Sequence, residues 1–269
     1  MAVLPQNFTE IVNQAKESLQ VALENGCTRI TIDIVIPEIP LKAQYLAKEF
    51  ADFFSDYGSG LKVIFPDVGA SALAKRDWGD TDFVVTDIGS SRTPVSNKIS
   101  ESDEIFLVVA PSSVEVSLVE KLCNIAEDRP VILLIPQLED VSIVGIGYAA
   151  RQLRERFISI LESAYYYRPL ESAIVIRQYP EKWQVWQDQS LMSVNQMTED
   201  VADFAPNCDN YEMIAEVKQK PAGEALDRLL LGESDEDDND NNKPSGGVKT
   251  PSAKGLFGSM KSFLKALNN

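Results

Sequence analysis

Two short runs decide how this chain folds: IFLVVAP at residues 105–111 and VILLIP at residues 131–136. Neither alternates polar with apolar side chains, so neither has a face to give to water. Unbroken apolar runs of this length, closed by proline, read as strands buried on both sides, the mark of a parallel sheet covered by helices. Between them, residues 113–126 return to helical spacing, with Leu118, Val119, Leu122, Cys123 and Ala126 expected inward. A strand, a helix and a strand in that order is a parallel crossover unit.

Working outward gives the same grammar. Asn7 is placed to cap a helix whose Glu10 reaches back, and Phe8, Ile11, Val12, Ala15, Leu19 and Ala22 recur at helical spacing. TRITIDIVIP (28–37) reads as a strand with Ile30, Ile32, Ile34 and Ile36 on one side and Thr31, Asp33 and Val35 on the other. Residues 41–57 predict a helix that turns Leu41, Tyr45, Leu46, Phe50, Phe53 and Tyr57 inward; LKVIFP and DFVVTD are further strands. The stretch 148–164 predicts one helix with Leu153, Phe157, Ile160, Leu161 and Ala164 on its apolar side. SAIVIRQY and KWQVWQD predict an antiparallel hairpin at the sheet edge, turning at Tyr179-Pro180-Glu181, and residues 210–231 predict a final helix. The expected fold is α/β: a mostly parallel sheet flanked by helices, with an antiparallel edge hairpin and a disordered C-terminal tail. One domain spans residues 1–231, a disordered acidic then Gly/Pro/Ser-rich linker 232–253, and a basic amphipathic helix 254–269.

Charge sorts by region. The net charge is −16, from 41 acids and 25 Lys and Arg; six acids fall within ESDEDDNDNN (233–242), and residues 243–269 hold five lysines and no acid. So acidic a body repels phosphates, which excludes nucleic acid as a partner. No run approaches the roughly 20 apolar residues of a membrane span. Cys27, Cys123 and Cys208 are odd in number and far apart, as buried thiols in a reducing compartment would be. With no histidine in the chain, the commonest general base and metal ligand is missing, and no nucleophile, base and orienting group assemble from spacing. The expectation is a noncatalytic protein with no metal and no cofactor.

Several constellations admit both a functional and an ordinary structural reading. Gly145-Ile146-Gly147-Tyr148-Ala149-Ala150 matches a dinucleotide-loop pattern but lacks a following strand with a ribose-binding acid, so a plain glycine-rich helix start ranks ahead of it. The loop Gly89-Ser90-Ser91-Arg92 resembles an anion nest without the P-loop lysine, and the acids 233–242 lack the glycine and terminal glutamate of a calcium loop. Arg151 and Arg154 share a helix face. Arg177, Tyr179, Trp183 and Trp186 belong to an aromatic-rich last third where core packing ranks ahead of docking, with one tryptophan expected inside and another partly exposed. These six residues form the candidate body surface. In a helix, Leu256, Phe257, Met260, Phe263, Leu264 and Leu267 make one stripe, and Lys254, Lys261 and Lys265 occupy the remainder. A free helix this short is marginal in water, so binding an anionic membrane surface or a groove on another protein would supply its fold.

Scattered motifs resemble the DUF1995 family, typified by the plant plastid protein Low Photosystem II Accumulation 3. The residues are Leu4-Pro5, Phe65-Pro66-Asp67 with Gly69-Ala70, Trp78, Pro111, Arg151 to Phe157, Tyr165-Tyr166 with Arg168-Pro169-Leu170, and Arg177 with Tyr179-Pro180 and Trp183, covering about residues 4 to 190. The resemblance implies a role in photosystem II assembly or photosynthetic membrane upkeep, with a photosynthetic membrane protein complex or anionic membrane surface as partner. Some members are fused to an adenylate kinase, which keeps a nucleotide- or phosphate-binding domain as the alternative; this chain has no Walker glycine-lysine signature. The start of the chain does not read as a transit peptide, which implies a cyanobacterial, cytoplasmic setting, peripheral to the thylakoid membrane.

Overall fold

The computed structural model describes residues 3–90, 93–138, 148–190 and 210–232. The candidate helix 254–269, the linker after Gly232, Gly145 to Gly147 and Cys208 lie outside the described residues. Nine strands are present among them: β1 (Arg29–Ile34), β2 (Leu61–Phe65), β3 (Val84–Asp87), β4 (Ile105–Val109), β5 (Val131–Leu134), β6 (Glu162–Pro169), β7 (Ala173–Gln178), β8 (Trp183–Asp188) and β9 (Tyr211–Val217). They form one sheet in the order β3-β2-β4-β5-β1-β6-β7-β8-β9. Every pairing from β3 to β6 is parallel, and every pairing from β6 to β9 is antiparallel.

Both faces of the parallel half are covered. One face carries α1 (Phe8–Glu24), α2 (Ala43–Phe53) and α3 (Val68–Trp78), whose Leu19, Phe50 and Ala74 pack with Ile32, Val63 and Leu107. The other carries α4 (Val116–Ala126), which sets Val119, Leu122 and Cys123 on Phe106, Val108 and Leu133; Phe157, just after α5 (Tyr148–Arg156), joins them. A third cluster puts Leu226 of α6 (Glu224–Leu230) on Tyr166, Val175 and Val185. Burial pushes the Cys123 thiol up to about 11, which fits the inert buried thiol expected of it.

The helix starts follow local chemistry. The Asn7 side chain accepts the Glu10 N–H at 2.9 Å, and the Glu10 carboxylate reaches back to accept from the Gln6 N–H at 2.7 Å and from the Asn7 side-chain amide at 3.0 Å. Asp67 caps α3 by accepting the Ala70 N–H at 2.9 Å. Arg29 donates to the Thr28 and Arg129 carbonyls and to those of Cys123 and Glu127, placing a cation at the C-terminal end of α4.

Four expectations are corrected. The helix predicted over 148–164 stops at Arg156, and β6 begins at Glu162; the three tyrosines 165–167 are strand residues buried in the sheet. The helix predicted over 210–231 divides into β9 and α6. The 173–188 hairpin forms, but β9 pairs with its outer strand, so it is not the edge. Helix α2 turns Leu46, Ala47, Phe50 and Ala51 inward and leaves Leu41 81% and Tyr45 53% exposed. Small alanines let the helix approach the sheet closely, so the inward stripe is set by fit rather than by the largest side chains.

One crossover has no α-helix among its described residues. The connection from β3 to β4 lies across the second face of β2, and an ion pair holds it there: Lys62 Nζ donates to Asp103 Oδ2 at 2.6 Å and to the Lys98 carbonyl at 2.7 Å. Both side chains are buried. Removing one partner of such a pair strands a charge, whereas replacing both with apolar groups does not. Asp103→Ala should therefore lower the unfolding free energy by about 3–5 kcal/mol, and Lys62→Met with Asp103→Leu should recover most of that loss; urea denaturation of the three proteins is the check.

Candidate functional site

In an open parallel sheet, the carboxyl ends of the strands hold the crevice where neighbouring connections diverge. Here β2 leaves through α3 on one face and β4 leaves through α4 on the other, so the divergence falls between β2 and β4. Helix N-termini flank this crevice. Such termini attract anions, but each has a carboxylate beside it: Asp67 caps α3, and Glu115, just before α4, makes no cap hydrogen bond and turns its Oε2 to the Ser112 N–H at 3.0 Å and the Ser112 hydroxyl at 2.6 Å. A phosphate arriving there meets two negative groups.

The same edge is unusually apolar at its surface. Val35 follows β1, Leu41 precedes α2, Val68 opens α3 and Val114 precedes α4; all four are exposed, Leu41 and Val114 by more than 80%. The backbone beneath is strained. Ala110 and Ile135, at the carboxyl ends of the adjacent strands β4 and β5, take the left-handed region with φ of 45° and 46°, which is rare for any side chain and rarer for a β-branched one. Hydrogen bonds hold them there: the Ala110 N–H to the Leu134 carbonyl at 2.8 Å, the Ile135 N–H to the Ile32 carbonyl at 2.7 Å and the Gln137 N–H to the Pro111 carbonyl at 2.7 Å. The edge is a fixed, apolar, mildly acidic rim.

The residues singled out from the sequence fall in three places. Arg177, Tyr179 and Trp183 come together with Tyr166 at the seam between the parallel and antiparallel halves. Register puts Asp33, Tyr166 and Arg177 in one row across β1, β6 and β7. The Tyr166 and Trp183 rings meet edge to face at 5.0 Å, and the Arg177 guanidinium lies 5.5 Å from the Trp183 ring centre and 6.0 Å from that of Tyr179. Arg177 also donates to Glu162 at 2.6 Å. Above them Lys220 sits 4.2 Å from the centre of the Tyr166 ring. Trp186 lies on the opposite face, half-buried against the first core cluster, and Arg151 and Arg154 are exposed on α5. Asp33 and Lys220 were missed; Asp33 was only the polar half of a strand alternation, and no local pattern marks Lys220.

Tyr166 and Trp183 are buried, so this row joins the two halves of the sheet and is not an open binding face. Its chemistry is that of a clasp, cations over aromatic rings with a carboxylate at one end. Among the described residues no group of three or more His, Cys, Asp or Glu is arranged to hold a metal ion.

These elements define an open α/β domain whose parallel sheet is extended by an antiparallel meander and whose carboxyl edge exposes Val35, Leu41, Val68 and Val114. The family model described as "Domain of unknown function (DUF1995)" matches residues 5–228, and the chain belongs to that family. The match takes in the whole described sheet and stops short of residues 233–269.

Burial raises the Asp33 carboxyl above its ordinary range; Lys220 and the Thr31 hydroxyl, which donates to it at 2.8 Å, pull it down without cancelling the rise. The native chain then holds this proton more tightly than the unfolded chain. Stability linked to Asp33 is full below the ordinary carboxylate pKa and is lost as pH rises through the raised native value. Asp33→Asn keeps the acceptor for Thr31 without the charge. Its unfolding free energy should match the parent protein in acid and exceed it near neutral pH; a gap that does not change with pH would refute the assignment.

Proposed function

We propose that this protein is a noncatalytic assembly or scaffold factor. It docks on an anionic photosynthetic membrane, or on a protein complex within it, through residues 254–269, and its apolar sheet edge is a second contact. The observation that carries this reading is the segregation of charge and grease in the sequence: six apolar residues on one helical stripe, lysines on the other side, and an acidic block separating them from an acidic body. The thylakoid setting and the link to photosystem II assembly rest on the resemblance to Low Photosystem II Accumulation 3. The rim of Val35, Leu41, Val68 and Val114 supports a docking role for the body. The carboxylates of Asp67 and Glu115 beside those helix starts weigh against the alternative, a nucleotide or phosphate ligand at the same edge.

Each lysine close to an anionic surface adds about 1 kcal/mol and is screened by salt. The full chain should float with vesicles containing phosphatidylglycerol, bind phosphatidylcholine vesicles far more weakly, and detach at high salt. A chain ending at Gly232, or one with Lys254, Lys261 and Lys265 all changed to Glu, should stay in the soluble fraction. Equal flotation of full and shortened chains, or identical co-purification of both with photosynthetic membrane complexes, would defeat the proposal.

A further inference from the structure

A second feature lies away from the carboxyl rim. A cleft of about 310 Å³ opens between the described residues of the β3–β4 connection and the outer side of α4. This is the small end of the roughly 300–1,000 Å³ range of ligand pockets. Its floor is aliphatic: Val95 is buried, and Leu118 and Ile125, on one stripe of α4, are half-buried beside it. Lys121 is the one charged residue among the described residues of the lining, and Ser96 and Asn124 complete the polar lip. The acid next to it in sequence, Glu120, is engaged by Arg156 through hydrogen bonds of 2.6 and 2.9 Å. In a chain with 41 acids and 25 Lys and Arg, a greasy cleft that is lined, among the described residues, by a cation and no carboxylate is oriented toward an anion.

The wall facing α4 is held in place. Asp87 accepts from Lys98 Nζ at 2.8 Å and from the Gly89 N–H at 3.0 Å, and the Ser90 N–H donates to the Thr93 carbonyl at 2.8 Å. Gly89 has a φ of +98°, and a Cβ there would stand 2.5 Å from the Thr93 carbonyl oxygen, so only glycine closes this turn. A cleft held open in this way loses little entropy on binding.

We propose that this cleft binds a single-chain amphiphile with an anionic head. The alkyl chain lies along Val95, Leu118 and Ile125, and the head meets Lys121. Burying a methylene tightens binding up to about fourfold, and a head-group charge pair at a water-exposed lip adds about five- to tenfold.

The test is an NMR titration of the intact chain with monomeric hexyl phosphate, octyl phosphate and octanol. Octyl phosphate should shift the amides of residues 94–96 and 118–125 and bind up to about fifteenfold tighter than hexyl phosphate. Lys121→Gln, an exposed change, should weaken octyl phosphate about five- to tenfold and leave octanol unchanged. Leu118→Gln should flatten the dependence on chain length. Shifts confined to residues 254–269, equal loss of octanol and octyl phosphate in Lys121→Gln, or shifts at the cleft with phosphatidylglycerol vesicles but not with monomer would each overturn the proposal.

Discussion

A parallel strand has two faces to hide, and the rest of this structure follows from that constraint. Strands β2, β4 and β5 are buried along their whole length, so every connection between them must also serve as a cover. Four of the five parallel crossovers include a helix. The β3–β4 connection has only a short helical turn, Val95–Lys98, among its described residues, and polar groups hold it down instead. Lys62 stands where β2 would otherwise take an aliphatic residue; its ammonium meets Asp103 and the Lys98 carbonyl, and Lys98 in turn reaches Asp87. Buried charges are expensive, so this solution works only because both partners are present and further hydrogen bonds complete them. The strapped connection then becomes one wall of a cleft with α4. The apolar cleft is thus a by-product of covering a strand without a helix.

Beyond β6 the constraint relaxes. Antiparallel strands need no crossover, so β7 follows β6 and β8 follows β7 after short connections, β9 pairs with β8, and among the described residues the helix α6 packs on their second face. Where the two regimes meet, the helical covers of the two halves do not abut. The row of Asp33, Tyr166, Arg177 and Trp183 fills the seam, and Lys220 bridges from the far side of the meander back over Tyr166. Aromatic faces accept cations and also bury area, so they suit a junction that is neither dry core nor open surface.

How much of this was legible depended on how local the deciding signal was. The runs 105–111 and 131–136 carry their burial in their own composition, and the alternation of Ile30, Ile32, Ile34 and Ile36 shows which side of β1 faces the core; both readings hold. Strand β6 was hidden because Glu162, Ser163 and Ala164 continue a helical pattern from the preceding turn, and its strand character comes from pairing with β1 and β7. Helix α3 (VGASALAKRDW) escaped notice because only Ser71 and Ala74 are buried, too few to show a stripe. Arg177 and Trp183 were found from their place in an aromatic-rich segment. Asp33 and Lys220 were not, since they are 187 positions apart and only the folded sheet relates them. The rim was invisible for the same reason: four aliphatics on three separate connections come to the same end of the sheet only once the strands are aligned in parallel.

Under the proposed function, neither contact suffices alone. Four aliphatic residues on a rim fall short of the roughly 800 Å² each partner contributes to a standard interface, and one short basic helix attaches to a membrane only weakly. Linked in one chain, the second contact forms at an effective concentration set by the linker, and the combined affinity exceeds either part. The charge order serves the same end. An acidic body is repelled by an anionic leaflet, but screening confines that repulsion to about 8 Å at physiological salt. As a flexible coil, the two dozen residues between body and basic segment would have an r.m.s. span on the order of 25–30 Å. The basic segment can then lie on the surface while the body stands outside the repulsive layer, with its rim free for a protein that projects from the membrane. A shorter linker would bring the like charges together, and a neutral body would lie flat on the lipid and hide its own docking edge. On that proposal, the acidic composition is part of the docking device, because it would keep the rim available to protein rather than to lipid.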